Sequence, residues 1–243
     1  MTQHTSTQHE NSKPVYDLGD LIKVIVTLAI LVGSMALLAG RWDWMAGWAF
    51  LGVFTTYSLL LFAWLSSIDP GLARERKQDA DERNQPYEHV VIPVMVVLEL
   101  SLLIVATLDG GRFGWSTVPA WVRVIGWTLL AITGAILPWV FHTNTFASGV
   151  GRIQDDREHH TITVGPYRYV RHPMYAGFIL LFLSIPLILG SGWAFVPVTV
   201  ACAVLIIRTI FEDRFLKKNL SGYKDYIQKT RIKNKKFSDS STD

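Results

Sequence analysis

The residues best suited to chemistry lie in one short string, GPYRYVRHPMYAG, from Gly165 to Gly177, immediately before an apolar run. Pro173 suits the first position of a helix, where a backbone N–H would have no partner anyway. The next amides, at Met174, Tyr175 and Ala176, then lack intrahelical acceptors. Such a helix start attracts an anion through those amides and through the helix dipole. His172 stands just before the proline, placed to add a hydrogen bond to the same anion. Ala176 and Gly177 are small, which lets a ligand or a neighbouring helix approach the backbone. Tyr167, Tyr169 and Tyr175 offer aromatic faces that attract a cation. Arg168 and Arg171 add fixed positive charge. Arg and Tyr also serve as plain interfacial anchors in membrane proteins. Their concentration in one string before a helix points instead to a binding site.

The elements that position this string follow from composition. The chain has 243 residues, 50% hydrophobic and 18% charged, against roughly 25% charged in a soluble domain. The apolar residues are gathered into runs near the length of about 20 that a bilayer core requires. A soluble two-domain enzyme, a disordered chain and a secreted disulfide scaffold are thereby excluded. Six spans are expected at Leu18–Ala39, Trp44–Leu65, Val90–Leu108, Pro119–Phe141, Met174–Leu189 and Trp193–Phe211, the last two forming a hairpin turned at Gly190-Ser191-Gly192. The runs lack the period-two alternation of a membrane barrel, so the fold is read as an all-α polytopic bundle. Residues 1–17 read as a polar disordered tail, 18–141 as a four-span bundle, 142–231 as the region carrying chemistry, and 232–243 as a basic then polar tail.

Charge sets orientation. Segments 66–89 and 142–173 and the tail after Phe211 are rich in Arg and Lys, whereas the alternate loops hold only Arg41, Arg112 and the helix-edge Arg123. Keeping positive charge inside places both termini and the Gly165–Gly177 string on the cytoplasmic side, in an inner membrane for a bacterial cell plan. Segment 66–89 reads as a solvated linker or short surface helix. Trp42, Trp44, Trp64, Trp115, Trp121, Trp139 and Trp193 fall near span ends as interfacial anchors; Trp48 and Trp127 lie further in and read as packing residues. The net charge of +3 is too small to argue for nucleic acid, and the lone Cys202 excludes an intramolecular disulfide, a thiolate zinc site and a CxxC redox pair.

The string resembles the signature of the isoprenylcysteine carboxyl methyltransferase and phospholipid N-methyltransferase superfamily of integral membrane enzymes. The resemblance extends upstream through NTFASGVGRIQDDREHHTITV (Asn144 to Val164). Downstream it takes in Arg208, Glu212, Asp213, Leu216, Tyr223 and Tyr226. It covers roughly residues 140–231; the first four spans match only as generic membrane helices. The resemblance implies S-adenosylmethionine as methyl donor, bound at the cytoplasmic face by Tyr167, His172, Pro173, Met174, Tyr175, Gly177 and Glu212. The residue types suit that zwitterion: the helix start and His172 for its carboxylate, Glu212 and the aromatic faces for its cations. A membrane lipid or lipidated molecule is the implied acceptor. Arg171 would orient a carboxylate acceptor, and Glu212 would be the base for an amine. One departure is the ending RIKNKKF, Arg231 to Phe237, which lacks the Ile-Pro that members of this group often carry; the basic run would instead suit anionic lipid.

Further polar residues stand out. Glu99 lies mid-span, where a carboxylate is a functional candidate by default; it is placed either to contact a polar substrate group or to hydrogen-bond a neighbouring helix in its neutral form. Arg208 lies four residues before Glu212, on the same helix face, so the two are placed to pair. Glu99, Asn144 and Arg208 are the substrate candidates, and His142 and Asn144, at the end of the fourth span, are further candidates for cofactor contact. Pro138 and Pro186 are placed to kink their helices. His159 and His160 are adjacent, without the spacing of a typical zinc site; a solvated loop is expected there, and no metal. Two rival readings remain. Sterol-reductase-like enzymes that use reduced nicotinamide carry a similar Arg-His-Pro-x-Tyr segment, but with Asn after the proline and an acid after the glycine, where this chain has Met174 and Phe178. A non-catalytic scaffold that has kept the fold is the other.

Overall fold

The computed structural model describes residues 18–77, 85–147 and 159–230. The expected N-terminal tail, Arg83, Arg152, Arg157 and the Arg231–Phe237 run fall outside the described residues. The described chain is helical throughout its regular structure: α1 (Leu18–Ala39), α2 (Met45–Ile68), α3 (Pro70–Lys77), α4 (Glu88–Ala106), α5 (Ala120–Thr143), α6 (Pro173–Leu189) and α7 (Phe195–Asn219). A further helix, α8, covers residues 223–230. Five helices are long and apolar enough to cross a membrane: α1, α2, α4 with its extension, α5 and α7. Their outward faces carry Ile, Val, Leu and Trp in the open, among them Ile30, Leu60, Val97, Val124 and Ile206. Such a surface suits lipid rather than water.

The expected sixth span, α6, has 17 residues. It is the most enclosed helix, with Phe182, Ile185, Ile188 and Leu189 all buried. Protein packs around it on several sides, chiefly α5 and α7. Glycines set its antiparallel approach to α5. A Cβ on Gly126 would come within 2.8 Å of Ile188, and one on Gly177 within 3.3 Å of Leu137. The Thr133 hydroxyl also donates to the Gly177 carbonyl at 3.3 Å. Gly177 was expected to hold cofactor; here its open side is filled by α5.

Three other expectations change. Segment 66–89 contains α3, which inserts Leu72 and Ala73 (0% and 1% exposed) against Leu65, Leu137, Val140 and Phe141. The short helix is one of the two forms expected there, but it is packed into the bundle through these residues instead of lying free on the surface. Trp44 is buried rather than interfacial, lodged against Gly47 and Gly111, whose missing side chains leave it room. Finally, α4 runs past its expected end at Leu108 as a π-helical turn, Thr107–Phe113, which Gly114 closes at φ 62°.

That π-turn buries Asp109 completely. The carboxylate accepts hydrogen bonds from the Ser116 amide and hydroxyl and the Ser191 hydroxyl, each at 2.7 Å, and from the Trp193 amide at 3.3 Å. Ser191 lies in the turn between α6 and α7, so Asp109 latches the end of α4 onto that turn. Adjacent Gly110 lies so close to the Leu189 carbonyl that a Cβ would stand 2.1 Å from its oxygen.

Candidate active site

At the opposite end of the bundle, the chain enters α6 through a short 3-10 turn, Gly165–Arg168, and then the unbonded first turn that Pro173 begins. Ala176 returns its amide to the His172 carbonyl at 3.2 Å. The open pair is therefore Met174 and Tyr175, one amide fewer than the sequence suggested. These residues face the far end of α7, and α8 folds back beside them. Gly222 (φ +76°) provides the reversal between α7 and α8, since only glycine takes this left-handed geometry without strain.

A cleft lies between these elements. Tyr167, Arg171, His172, Pro173, Met174, Tyr175 and Glu212, all expected site residues, line it, as does Asn144. Tyr223, Tyr226, His159 and His160 line it as well. The histidine pair is therefore no mere solvated loop: the His159 ring stacks on Phe146 at 4.4 Å and His160 meets it edge-on. Conversely, Tyr169 is 61% exposed and His142 packs near Trp64 rather than on the cleft.

One carboxylate organises the wall. Asp213 accepts from Arg171 Nη1 at 2.8 Å and from the Tyr223 hydroxyl at 2.8 Å, and stands 3.2 Å from His172 Nε2. Helix α7 contributes Asp213, α6's entry contributes Arg171 and His172, and Tyr223 opens α8. His172 therefore makes no cap on its own helix; its ring is held sideways toward α7 and stacks on Tyr175 at 5.7 Å. Arg171 is partly neutralised by the same carboxylate. Asp213 belonged to the resembling stretch, but nothing local in the sequence singled it out over Glu212.

Glu212 takes a different partner. It accepts the Tyr175 hydroxyl, and the expected pairing with Arg208 is replaced. Arg208 instead donates through Nε and Nη2 to Glu88 Oε1, both at 3.1 Å, with its guanidinium 5.2 Å from the Tyr175 ring centre. Glu88 is 1% exposed and Arg208 8%. Two helices that are remote in sequence, α4 and α7, are thereby tied together directly behind the cleft. The only sequence signal for Glu88 was an acid at a span entrance.

Phenols line the remainder. Tyr226 donates to the Tyr167 carbonyl at 2.7 Å, and the Asn144 amide donates to the Tyr167 hydroxyl at 2.8 Å. Burial pushes the Tyr167 and Tyr223 phenols well above their ordinary range and Tyr226 up to about 12. All three therefore stay protonated at neutral pH and offer polar yet uncharged walls. The cleft thus combines two open amides, one carboxylate and four tyrosines, a set that fits a small zwitterion bearing additional positive charge.

The other substrate candidates lie away from the cleft lining, Arg208 buried and Glu99 exposed on α4. Glu99 and Arg208 line one apolar cavity of about 440 Å³ bordered by α1, α2, α4, α6 and α7. A second cavity, about 490 Å³, lies between α2, α5 and α6. Among the described residues no cluster of metal-ligating side chains occurs.

No curated protein matches the chain. The phospholipid methyltransferase family model does match residues 121–222, from the first turn of α5 to the reversal after α7, so the segment that supplies most of the cleft is similar to that methyltransferase family.

Proposed function

We propose that the protein transfers a methyl group from S-adenosylmethionine to a membrane-embedded amphiphile, at a cleft facing the cytoplasm. Support comes chiefly from one coincidence: the matched segment supplies most of a cleft, completed by Tyr223 and Tyr226 just beyond it, whose donors, carboxylate and phenols suit a ligand with one carboxylate and two cationic centres. When bound, that cofactor supplies an electrophilic methyl group on a sulfonium, open to in-line displacement.

The chain's own residues then have distinct tasks. The Met174 and Tyr175 amides, at the positive end of α6, receive the carboxylate. Glu212, oriented by Tyr175, receives a cationic group. Tyr167, Tyr223 and Tyr226 exclude water while tolerating positive charge. His172 is held in place by Asp213, and Arg171 remains able to orient an acceptor through the nitrogens that Asp213 does not hold. A carboxylate acceptor needs no base; for an amine, Glu212 is the nearest proton acceptor. The basic loops favour six crossings, α6 among them, with both termini cytoplasmic and the protein in the inner membrane.

Calorimetry on the detergent-purified protein tests this. S-adenosylhomocysteine is expected to bind and NADPH not to; binding of NADPH alone would overturn the reading in favour of a reductase. A labelled-methyl assay on lipid and prenylated-peptide extracts then identifies the acceptor.

A further inference from the structure

The cavity of about 440 Å³ opens along α4, where Ile92, Val96 and Glu99 are exposed, and its lining is hydrocarbon with two exceptions, Arg208 and Glu99. Arg208 is already engaged by Glu88 and by the Tyr175 ring. Glu99 makes no hydrogen bond or ion pair with any described residue. It follows Glu88 by eleven residues on α4, roughly 16 Å at the helical rise per residue. That distance is about half the thickness of a bilayer core. One polar group of this cavity therefore stands beside the cleft, level with the start of α4, and the other lies about half a bilayer core further along that helix.

A plain acyl or prenyl chain would satisfy the Leu, Phe and Val walls and leave the Glu99 carboxyl without a partner. Carboxyls at such depth are rare because they are costly there. A second charge at that depth would add to that penalty, so an uncharged hydroxyl is a better partner than an ammonium. We propose that this cavity binds a single-chain amphiphile and that Glu99 selects one carrying a hydroxyl in mid-chain, roughly 16 Å from its head group. Naming this amphiphile the methyl acceptor rests on the methyltransferase reading above; its binding does not. Arg208 links the two sites, since it borders the cavity while its guanidinium lies over Tyr175, a lining residue of the cleft.

The test is equilibrium binding of radiolabelled ricinoleate and oleate to the full-length protein in nanodiscs. The two probes share chain length and head group and differ in the mid-chain hydroxyl. Wild type is expected to bind ricinoleate about fivefold more tightly, the effect of one hydrogen bond. E99L is expected to bind both equally, and E99Q, which keeps hydrogen-bonding capacity, to retain the preference. Unchanged S-adenosylhomocysteine affinity in E99L would show that the fold is intact; if wild type binds none, the lipid comparison still reads out by itself, with circular dichroism reporting folding. Equal binding of the two probes by wild type would overturn the proposal. So would a preference that persists in E99L, or efficient disulfide cross-linking of E99C between two copies, which would assign Glu99 to an interface.

Discussion

The His172 imidazole lies 3.2 Å from the Asp213 carboxylate, across the junction between the start of α6 and the end of α7. The same carboxylate holds Arg171 and the first residue of α8, Tyr223. Asp213 thus fastens together three segments that the chain reaches separately. Two of the residues it holds, His172 and Arg171, line the cleft, as does Tyr223.

Asp213→Ala therefore removes the organiser rather than a ligand contact. Arg171 and His172 lose their common partner, and charged hydrogen bonds of this kind contribute about 1.5–3 kcal/mol. Because Asp213 is 25% exposed, water compensates in part, and we expect a loss of about 1–2 kcal/mol in thermal stability. S-adenosylhomocysteine affinity, measured by calorimetry, is expected to fall about tenfold. Unchanged affinity would mean that the clasp is irrelevant to the cleft.

Glu88 and Arg208 provide a second test. Removing one member of a buried pair costs about 3–5 kcal/mol, while replacing both with apolar residues is often neutral. Glu88→Leu and Arg208→Leu are each expected to lower the melting temperature strongly. The double variant is expected to melt closer to wild type than either single one, giving a coupling energy of about 1–3 kcal/mol in a double-mutant cycle.

Tyr175 and Glu212 are separable kinetically. Tyr175→Phe keeps the ring beneath Arg208 but removes the hydroxyl that Glu212 accepts, so a modest loss of about threefold in kcat/KM is expected, the effect of one neutral hydrogen bond. Glu212→Gln removes a carboxylate that faces the cleft. If the acceptor is an amine, kcat is expected to drop by about a hundredfold or more. For a carboxylate acceptor the loss is expected mainly in cofactor affinity. The split between kcat and cofactor Kd in a labelled-methyl assay tells the two apart.

At the other end of the bundle, Asp109→Ala leaves two serine hydroxyls and two amides without their acceptor. A destabilisation of about 2–4 kcal/mol is expected from losing this buried network. Cofactor affinity well below the melting temperature is expected to stay unchanged, because the latch is remote from the cleft. Gly110→Ala is expected to be at least as damaging, since its Cβ would collide with the Leu189 carbonyl. Thermal unfolding and binding, measured on the same samples, check both.

The sequence by itself determined the local facts. Apolar runs located the long helices to within a few residues, except that α4 continues through the π-turn to Phe113 and α7 continues to Asn219, past the expected ends at Leu108 and Phe211. Pro173 marked the start of α6, and the string around it named six of the residues that line the cleft. These properties were readable because hydropathy, helix starts and signature spacing are written in neighbouring residues. Tertiary structure decided the rest. It turned Gly177 toward α5, gave Arg208 to Glu88 instead of Glu212, and made Asp213 and Asp109 the fastenings at opposite ends of the bundle. Each of those outcomes depends on which helices lie side by side and at what height. Polar groups buried between helices must find partners wherever packing brings them, and that packing joins residues the sequence holds up to 120 positions apart.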